Sequence, residues 1–487
     1  MKARSNMADQ TYLLNDAEIQ QFIVDGYTTV QADYPPSFHE SIFRQIETVF
    51  EKEDNVGNNI LPRVPQIQQV FDHPAVSGAL TSLLGPGYVL NPHRHCHLNP
   101  PGRKGQSWHK DCYVFDHNIR HPRFHWVLAF YYPQDTTEDM GPSGLLPGMH
   151  AYRTVSDPDP EHTCEPAVSV CGKAGTVALI HFDAWHRATP NVSANKRYML
   201  KFQFVRTREP QAPSWNYGSS DWDAPARDRA VSLDIWSWLC GRCAPEALPP
   251  EAAGKGVPRL LEALRDESET VRLNGAFALG AIGEPAVPAL IDALRREALA
   301  SIEETTAKTP DNAHGTNPTA GCAAMALSVI GPPAVPALVD VFDDDHWWVR
   351  AVAVDVVART GPGAGAAVPA LLDRLSDDHW WVRRNAVEAL GTVEAFSPGT
   401  VRALTGVLAD RDYRVRRNAA ITLAKIGPSA APAVPDLVKA LKDDDRYNRF
   451  YAALALRRIG TPEAQSALTD ALFTARWCSI TTPEDLY

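Results

Sequence analysis

From residue 250 onward the apolar positions recur with a period of 33 residues. Val349-Arg350, Val382-Arg383 and Val415-Arg416 keep this spacing, and Asn448-Arg449 continues it in degenerate form. Val335-Pro336, Val368-Pro369 and Val434-Pro435 run in step with them, and Val401-Arg402 fills the open slot. Each unit reads as Val-Pro-Ala-Leu, an acidic turn, Val-Arg, then spaced Ala and Leu ending near a Gly. Proline suits the first turn of a helix, Asp the N-terminus of the next and Gly its stop, so each unit predicts a helix pair. Stacked pairs make an α-solenoid, expected over 251–475, with 476–487 as a tail. Val257-Pro258 with Val271-Arg272 is an earlier copy; the extra residues before the next copy fall in Glu303–Pro318, a polar stretch expected to be a loop.

The first 208 residues follow another rhythm. Asn15 and Glu18 form a capping-box start, Ile19, Phe22 and Ile23 an apolar stripe, and Gly26 a stop, which predicts an opening helix. From Val89 the apolar residues come in short runs broken by Pro and Gly: Val89–Leu98, His125–Tyr132, Thr176–Phe182 and Tyr198–Val205. Such runs predict an all-β sandwich or barrel behind N-terminal helices. Residues 209–250 carry Trp215, Trp222, Trp236 and Trp238. That is too much aromatic surface for a free linker, so this connector is expected to pack on one or both domains.

Composition narrows the function classes. A chain of 487 residues, 44% hydrophobic and 22% charged, can bury a large core. The net charge of −11 is shared by both halves, which argues against nucleic acid or an acidic membrane as partner, because neither half offers a surplus of phosphate-neutralising charge. No apolar run approaches a membrane span, and MKARSNMADQ lacks the apolar stretch of a secretory signal, so a cytoplasmic location is the default expectation. The 8 cysteines are sparse and irregular, as expected of reduced thiols; Cys240-Gly-Arg-Cys243 has no second pair and reads as a helix end.

The chemistry concentrates in two places. In Trp108-His109-Lys110-Asp111, residues i and i+2 of a strand share a face, so His109 and Asp111 can offer an imidazole and a carboxylate to one ion. His186 follows a strand-like run and is trailed by Asn191 and Arg197. Two histidines and one carboxylate on one face of a metal leave positions open, the facial triad of non-haem Fe(II) oxygenases. The planar fork of Arg197 matches a dicarboxylate cosubstrate such as 2-oxoglutarate.

Residues 10–208 resemble the phytanoyl-CoA dioxygenase (PhyH) family. The resemblance rests on Asn99-Pro-Pro-Gly102, Gln106-Ser-Trp-His109-Lys-Asp111, Gly141-Pro-Ser-Gly-Leu-Leu-Pro-Gly148-Met-His150, and Trp185-His186 with Asn191 and Arg197, in family order. It implies a double-stranded β-helix of jelly-roll or cupin-like form over 1–208, with iron on His109, Asp111 and His186. It also implies 2-oxoglutarate held by the metal and by Arg197, with O2 as oxidant. Trp126 and Thr189 are assigned to the cosubstrate pocket; Thr189 stands in for a Ser that some relatives have where this chain has Ala188, and Asn99 replaces a common Lys. The 33-residue units resemble HEAT repeats of the short, phycobilisome lyase-like kind. The resulting expectation is a dioxygenase that hydroxylates, or otherwise oxidises, a C–H bond of a small or carrier-linked substrate and releases succinate and CO2. The repeats are expected to recruit a protein or carrier partner or to support the barrel. The competing reading is a HEAT scaffold with a retired oxygenase domain.

Other polar motifs carry bland expectations. His93, His95 and His97 alternate and read as cavity lining or packing. His181-Phe-Asp183 lacks the following Asn and Arg and reads as structural, His150 as a loop tie, and Trp185 as a wall of the site. The tandem Asp-Asp-His-Trp-Trp at 344–348 and 377–381 reads as a repeat turn with packed aromatics.

Overall fold

The computed structural model describes residues 10–111, 122–152, 167–219, 221–225, 229–242, 250–308, 321–394 and 396–474. These form two compact units, 10–111 with 122–241, and 242–474.

In the first unit, helix α1 (Asp16–Asp25) carries the capping box: Glu18 N–H donates to Asn15 Oδ1 and Asn15 N–H to Glu18 Oε2. Gly26 closes it at φ 78°, a left-handed value that favours glycine. Strand β1 (Tyr27–Gln31) and helices α2 (Pro36–Glu53), α3 (Ile60–Arg63), α4 (Ile67–Asp72) and α5 (Pro74–Leu84) follow. The strands are β2 (Val89–Asn99), β3 (Trp126–Tyr131), β4 (Ser143–Leu145), β5 (Val168–Ser169), β6 (Thr176–His181), β7 (His186–Ala188) and β8 (Arg197–Val205). The larger sheet has the antiparallel order β1-β6-β3-β8-β2 and the smaller one β5-β4-β7. This is a two-sheet jelly roll of the double-stranded β-helix type.

Strands β3, β6 and β8 are buried throughout, which explains why they read as unbroken apolar runs. On β8 the side chains divide by the two-residue period. Tyr198 packs on Phe43 and Phe50 of α2, while Phe202 and Phe204 pack on Phe71 of α4. Arg197, Met199, Lys201 and Gln203 take the opposite, inward face, where Lys201 stands across from Phe130 on one side and His95 on the other.

The Trp-rich segment to residue 241 folds with the barrel. Trp215 Nε1 donates to Asp16 Oδ1 at 2.7 Å, and Trp215 and Trp222 pack on Trp236 of α6 (Arg229–Leu239). Arg123 grips Asp234 with two bonds of 2.9 and 2.6 Å. Glu209 is buried between His125 and Trp238, accepting from His125 Nε2 at 2.6 Å and Trp238 Nε1 at 2.9 Å. Burial alone would raise its carboxyl; His125, Trp238 and Arg206 outweigh that and hold it at about 2.

The second unit is the solenoid. It runs through α7 (Pro250–Ala263), α8 (Glu269–Ile282), α9 (Val287–Lys308), α10 (Cys322–Ile330), α11 (Val335–Asp340) and α12 (Trp347–Thr360). It continues through α13 (Val368–Arg374), α14 (Trp380–Thr392), α15 (Pro398–Val407), α16 (Tyr413–Ile426), α17 (Val434–Ala440), α18 (Arg446–Ile459) and α19 (Pro462–Thr474). Proline does open α11, α13 and α17. Contrary to expectation, Glu303–Lys308 is helical: α9 extends through it, since the stretch holds neither Pro nor Gly to stop a helix. The rest of the expected loop, the 476–487 tail and Cys243 lie outside the described residues.

The Val-Arg signature has a structural cause. Arg350, Arg383 and Arg416 each grip an Asp of the next repeat bidentately, Asp377 at 2.9 and 2.9 Å, Asp410 at 2.7 and 2.9 Å, and Asp443 at 2.7 and 3.0 Å. Each also donates to a carbonyl of its own turn, those of Asp344, Asp377 and Asp410. The tandem His-Trp-Trp is part of this ladder. His346 and His379 cap α12 and α14, Trp348 and Trp381 are buried, and Trp347 stacks on His379 with Arg414 over Trp380. Arg383→Ala strands a largely buried carboxylate and should lower solenoid stability by about 2–4 kcal/mol in urea denaturation followed by circular dichroism. A loss below about 1 kcal/mol would show that the ladder contributes little.

Candidate metal centre

The expected strand around His109 is reduced to a single bridge. His109 and His186 pair antiparallel, with His109 N–H donating to the His186 carbonyl at 3.1 Å and the reverse bond at 2.9 Å. That pairing puts the imidazoles side by side, 4.5 Å between ring centres. Asp111 comes onto the same cluster, so that ligand atoms of His109, Asp111 and His186 all lie within 4.8 Å of one another.

The ring nitrogens are sorted by their partners. Nδ1 of His109 donates to the Ser107 carbonyl at 2.9 Å and Nδ1 of His186 to the Ala184 carbonyl at 3.0 Å, because a carbonyl can only accept. Each Nε2 therefore keeps its lone pair in the neutral ring, the arrangement a metal-binding histidine requires. Burial lowers the His186 pKa to about 4, with Asp111 pulling the other way. Burial pushes the Asp111 carboxyl upward, yet Lys201, His186 and His109 outweigh it and hold the group well below the usual carboxylate range. Two imidazoles whose Nδ1 atoms are engaged by carbonyls, with one ionised carboxylate, fit a divalent cation.

Arg197 is almost fully buried at the start of β8 and donates from Nε and Nη2 to the Gly141 carbonyl at 3.0 and 2.6 Å. A guanidinium has five N–H donors, so three remain for a carboxylate. Thr189 belongs to the same neighbourhood: its hydroxyl donates to the Pro142 carbonyl at 2.8 Å, and Asn99 Nδ2 bridges the Gly141 and Thr189 carbonyls. Gly141 has φ 67°, and a Cβ there would stand 2.3 Å from Asn99 Nδ2, so glycine is required on both counts. Trp126 is elsewhere. It faces Val205 at the far end of β8 and packs on Phe182, and the structure does not bring it to Arg197.

The other histidines separate from the cluster. His181 Nδ1 accepts from Asp183 N–H, its ring lies 4.7 Å from that of His150, and Asp183 pairs with Lys110 at 3.1 Å. Lys110, one residue from each ligand of its own segment, thus faces away from them and ties to the His150 carbonyl. His95 and His97 line a cavity of about 390 Å³ with Phe50, Leu98, Pro100 and Arg103. Lys201, which no sequence motif marks, is a direct partner of Asp111: Nζ to Oδ2 is 2.7 Å, with both side chains buried.

A two-histidine, one-carboxylate cluster with its Asp111 and His186 buried, on a double-stranded β-helix, is the arrangement of a non-haem oxygenase type of domain. Residues 31–199 match the phytanoyl-CoA dioxygenase (PhyH) family, while residues 335–423 and 401–477 match HEAT repeats and 257–285 a single HEAT repeat. The chain carries a PhyH domain followed by HEAT repeats. No curated protein matches it. Solved structures similar to part of it include SnoK, described as a non-heme alpha ketoglutarate dependent carbocyclase from nogalamycin biosynthesis. It is 19% identical, with 40% of this chain and 85% of that chain covered and a TM-score of 0.34. HygX from Streptomyces hygroscopicus, with nickel and 2-oxoglutarate bound, is 13% identical over 40% of this chain and 88% of its own, at a TM-score of 0.33. HEAT repeats give the second unit a potential for protein interaction, and among the described residues no single helix is long and apolar enough to cross a membrane.

Proposed function

We propose that the chain is an Fe(II)- and 2-oxoglutarate-dependent dioxygenase that hydroxylates a C–H bond of a small or carrier-linked substrate, releasing succinate and CO2. The observation that carries this reading is the convergence of His109, Asp111 and His186, with Arg197 on the inward face of β8, from which Lys201 reaches Asp111. The bound iron would supply O2 activation coupled to decarboxylation of the cosubstrate. The residues of this chain do the rest. Ser107 and Ala184 fix the imidazole tautomers, and Arg197 offers its remaining donors to the distal carboxylate. Anaerobic titration with Fe(II) and 2-oxoglutarate should give a weak visible charge-transfer band, and one member of a metabolite panel should raise succinate release. Absence of the band would remove the reading.

Hydroxylation is favoured over halogenation because Asp111 holds a position that a halogenase leaves open for chloride. No chlorinated product should form in chloride buffer; finding one by mass spectrometry would overturn this part of the proposal. The solenoid has no part in the chemistry in this reading and serves recruitment or support.

A further inference from the structure

Lys201 lies on the inward face of β8, four residues beyond Arg197, and donates to Asp111 Oδ2 at 2.7 Å. Both side chains are almost fully enclosed, at 5% and 3% exposure. The second carboxylate oxygen, Oδ1, is the one directed at the cluster, 3.8 Å from His186 Nε2. The ammonium therefore engages Oδ2, while Oδ1 is turned towards His186. It also places a positive charge beside the cluster, where low polarity makes charges act strongly. That charge reaches across β2 as well, since Lys201 lowers the pKa of both His95 and His97, after burial as the larger cause.

An ordinary structural ion pair could sit anywhere in the barrel. This one engages a metal ligand, and it adds a cation to a site that must accept another cation. Such an arrangement opposes metal binding alone and favours it once an anion enters, because a dianionic cosubstrate compensates both positive charges. We infer that Lys201 is a positioning residue that restricts Asp111 to one-oxygen ligation and makes tight metal binding depend on the dianionic cosubstrate. This rests on the metal-centre reading above.

The sign of the effect separates this role from mere structural support. Mn(II) binding to the full chain is measured by calorimetry, with and without N-oxalylglycine, a dianion that mimics 2-oxoglutarate but does not turn over. In the wild type the dianion should tighten Mn(II) binding more than about tenfold. Lys201→Met should bind Mn(II) alone more tightly, on the order of tenfold, and should show a smaller response to the dianion. Lys201→Arg keeps the charge and should restore most of the wild-type response. Weaker Mn(II) binding in Lys201→Met, or an unchanged response to the dianion, would overturn the assignment; Lys201→Gln gives the same readout should the Met variant fail to fold. A wild type that binds no Mn(II) would overturn the metal-centre reading itself and the Lys201 role with it.

Discussion

His186→Ala should eliminate the Fe(II)–2-oxoglutarate charge-transfer band and succinate formation together. The variant removes one of three ligands and breaks the arrangement in which each imidazole is oriented by a backbone carbonyl, His186 by Ala184 and His109 by Ser107. Loss of an outer partner of a metal ligand already costs 10 to 100-fold in affinity in typical sites, so loss of the ligand should exceed about 100-fold. The fold should survive, because the bridge between the two segments is made by backbone groups that the substitution leaves in place. Circular dichroism would confirm this before the metal titration. Retention of both the band and turnover would show that the ligand set is wrong. His181 would not be an easy replacement: its Nδ1 is taken by Asp183 N–H, and its ring is packed against His150 and Phe124.

Local chemistry made most of this fold legible. The capping box of α1 uses residues three apart, the buried strands reveal themselves as apolar runs, and the proline and glycine punctuation of the repeats recurs where helices start and stop. Even the Val-Arg signature proved meaningful, although its cause, an Arg reaching an Asp 27 residues later, could be seen only once consecutive repeats were stacked. The features that escaped depend on strand register. Trp126 shares an inward face with the site residues, but the β3–β8 register carries it to the end of the barrel away from Arg197. Lys201 and Asp111 are 90 residues apart, and nothing local to either marks them as a pair. The burial of Glu209 and the docking of Trp215 on Asp16 are likewise contacts between distant segments, which aromatic content signals without identifying the partner.

Arg197→Ala should raise the 2-oxoglutarate concentration needed for half-maximal turnover by more than about tenfold. A charge-assisted bidentate bond in a site withdrawn from water is worth on the order of 2–5 kcal/mol when one partner is truncated. The residue has a second duty that must be separated from the first. Its Nε and Nη2 donate to the Gly141 carbonyl, which keeps Asn99 Nδ2 as a donor when they are removed, so stability should fall by only about 1 kcal/mol. Three measurements divide the effects. Thermal denaturation reports the Gly141 contribution, Mn(II) affinity without cosubstrate should remain close to wild type, and the cosubstrate requirement alone should change by the larger factor. Arg197→Lys keeps the charge but loses the planar fork, so it should recover only part of the cosubstrate affinity. An unchanged requirement in Arg197→Ala would move the anchor to Lys201 or another cation, and would mean that Arg197 serves to hold the Gly141 turn.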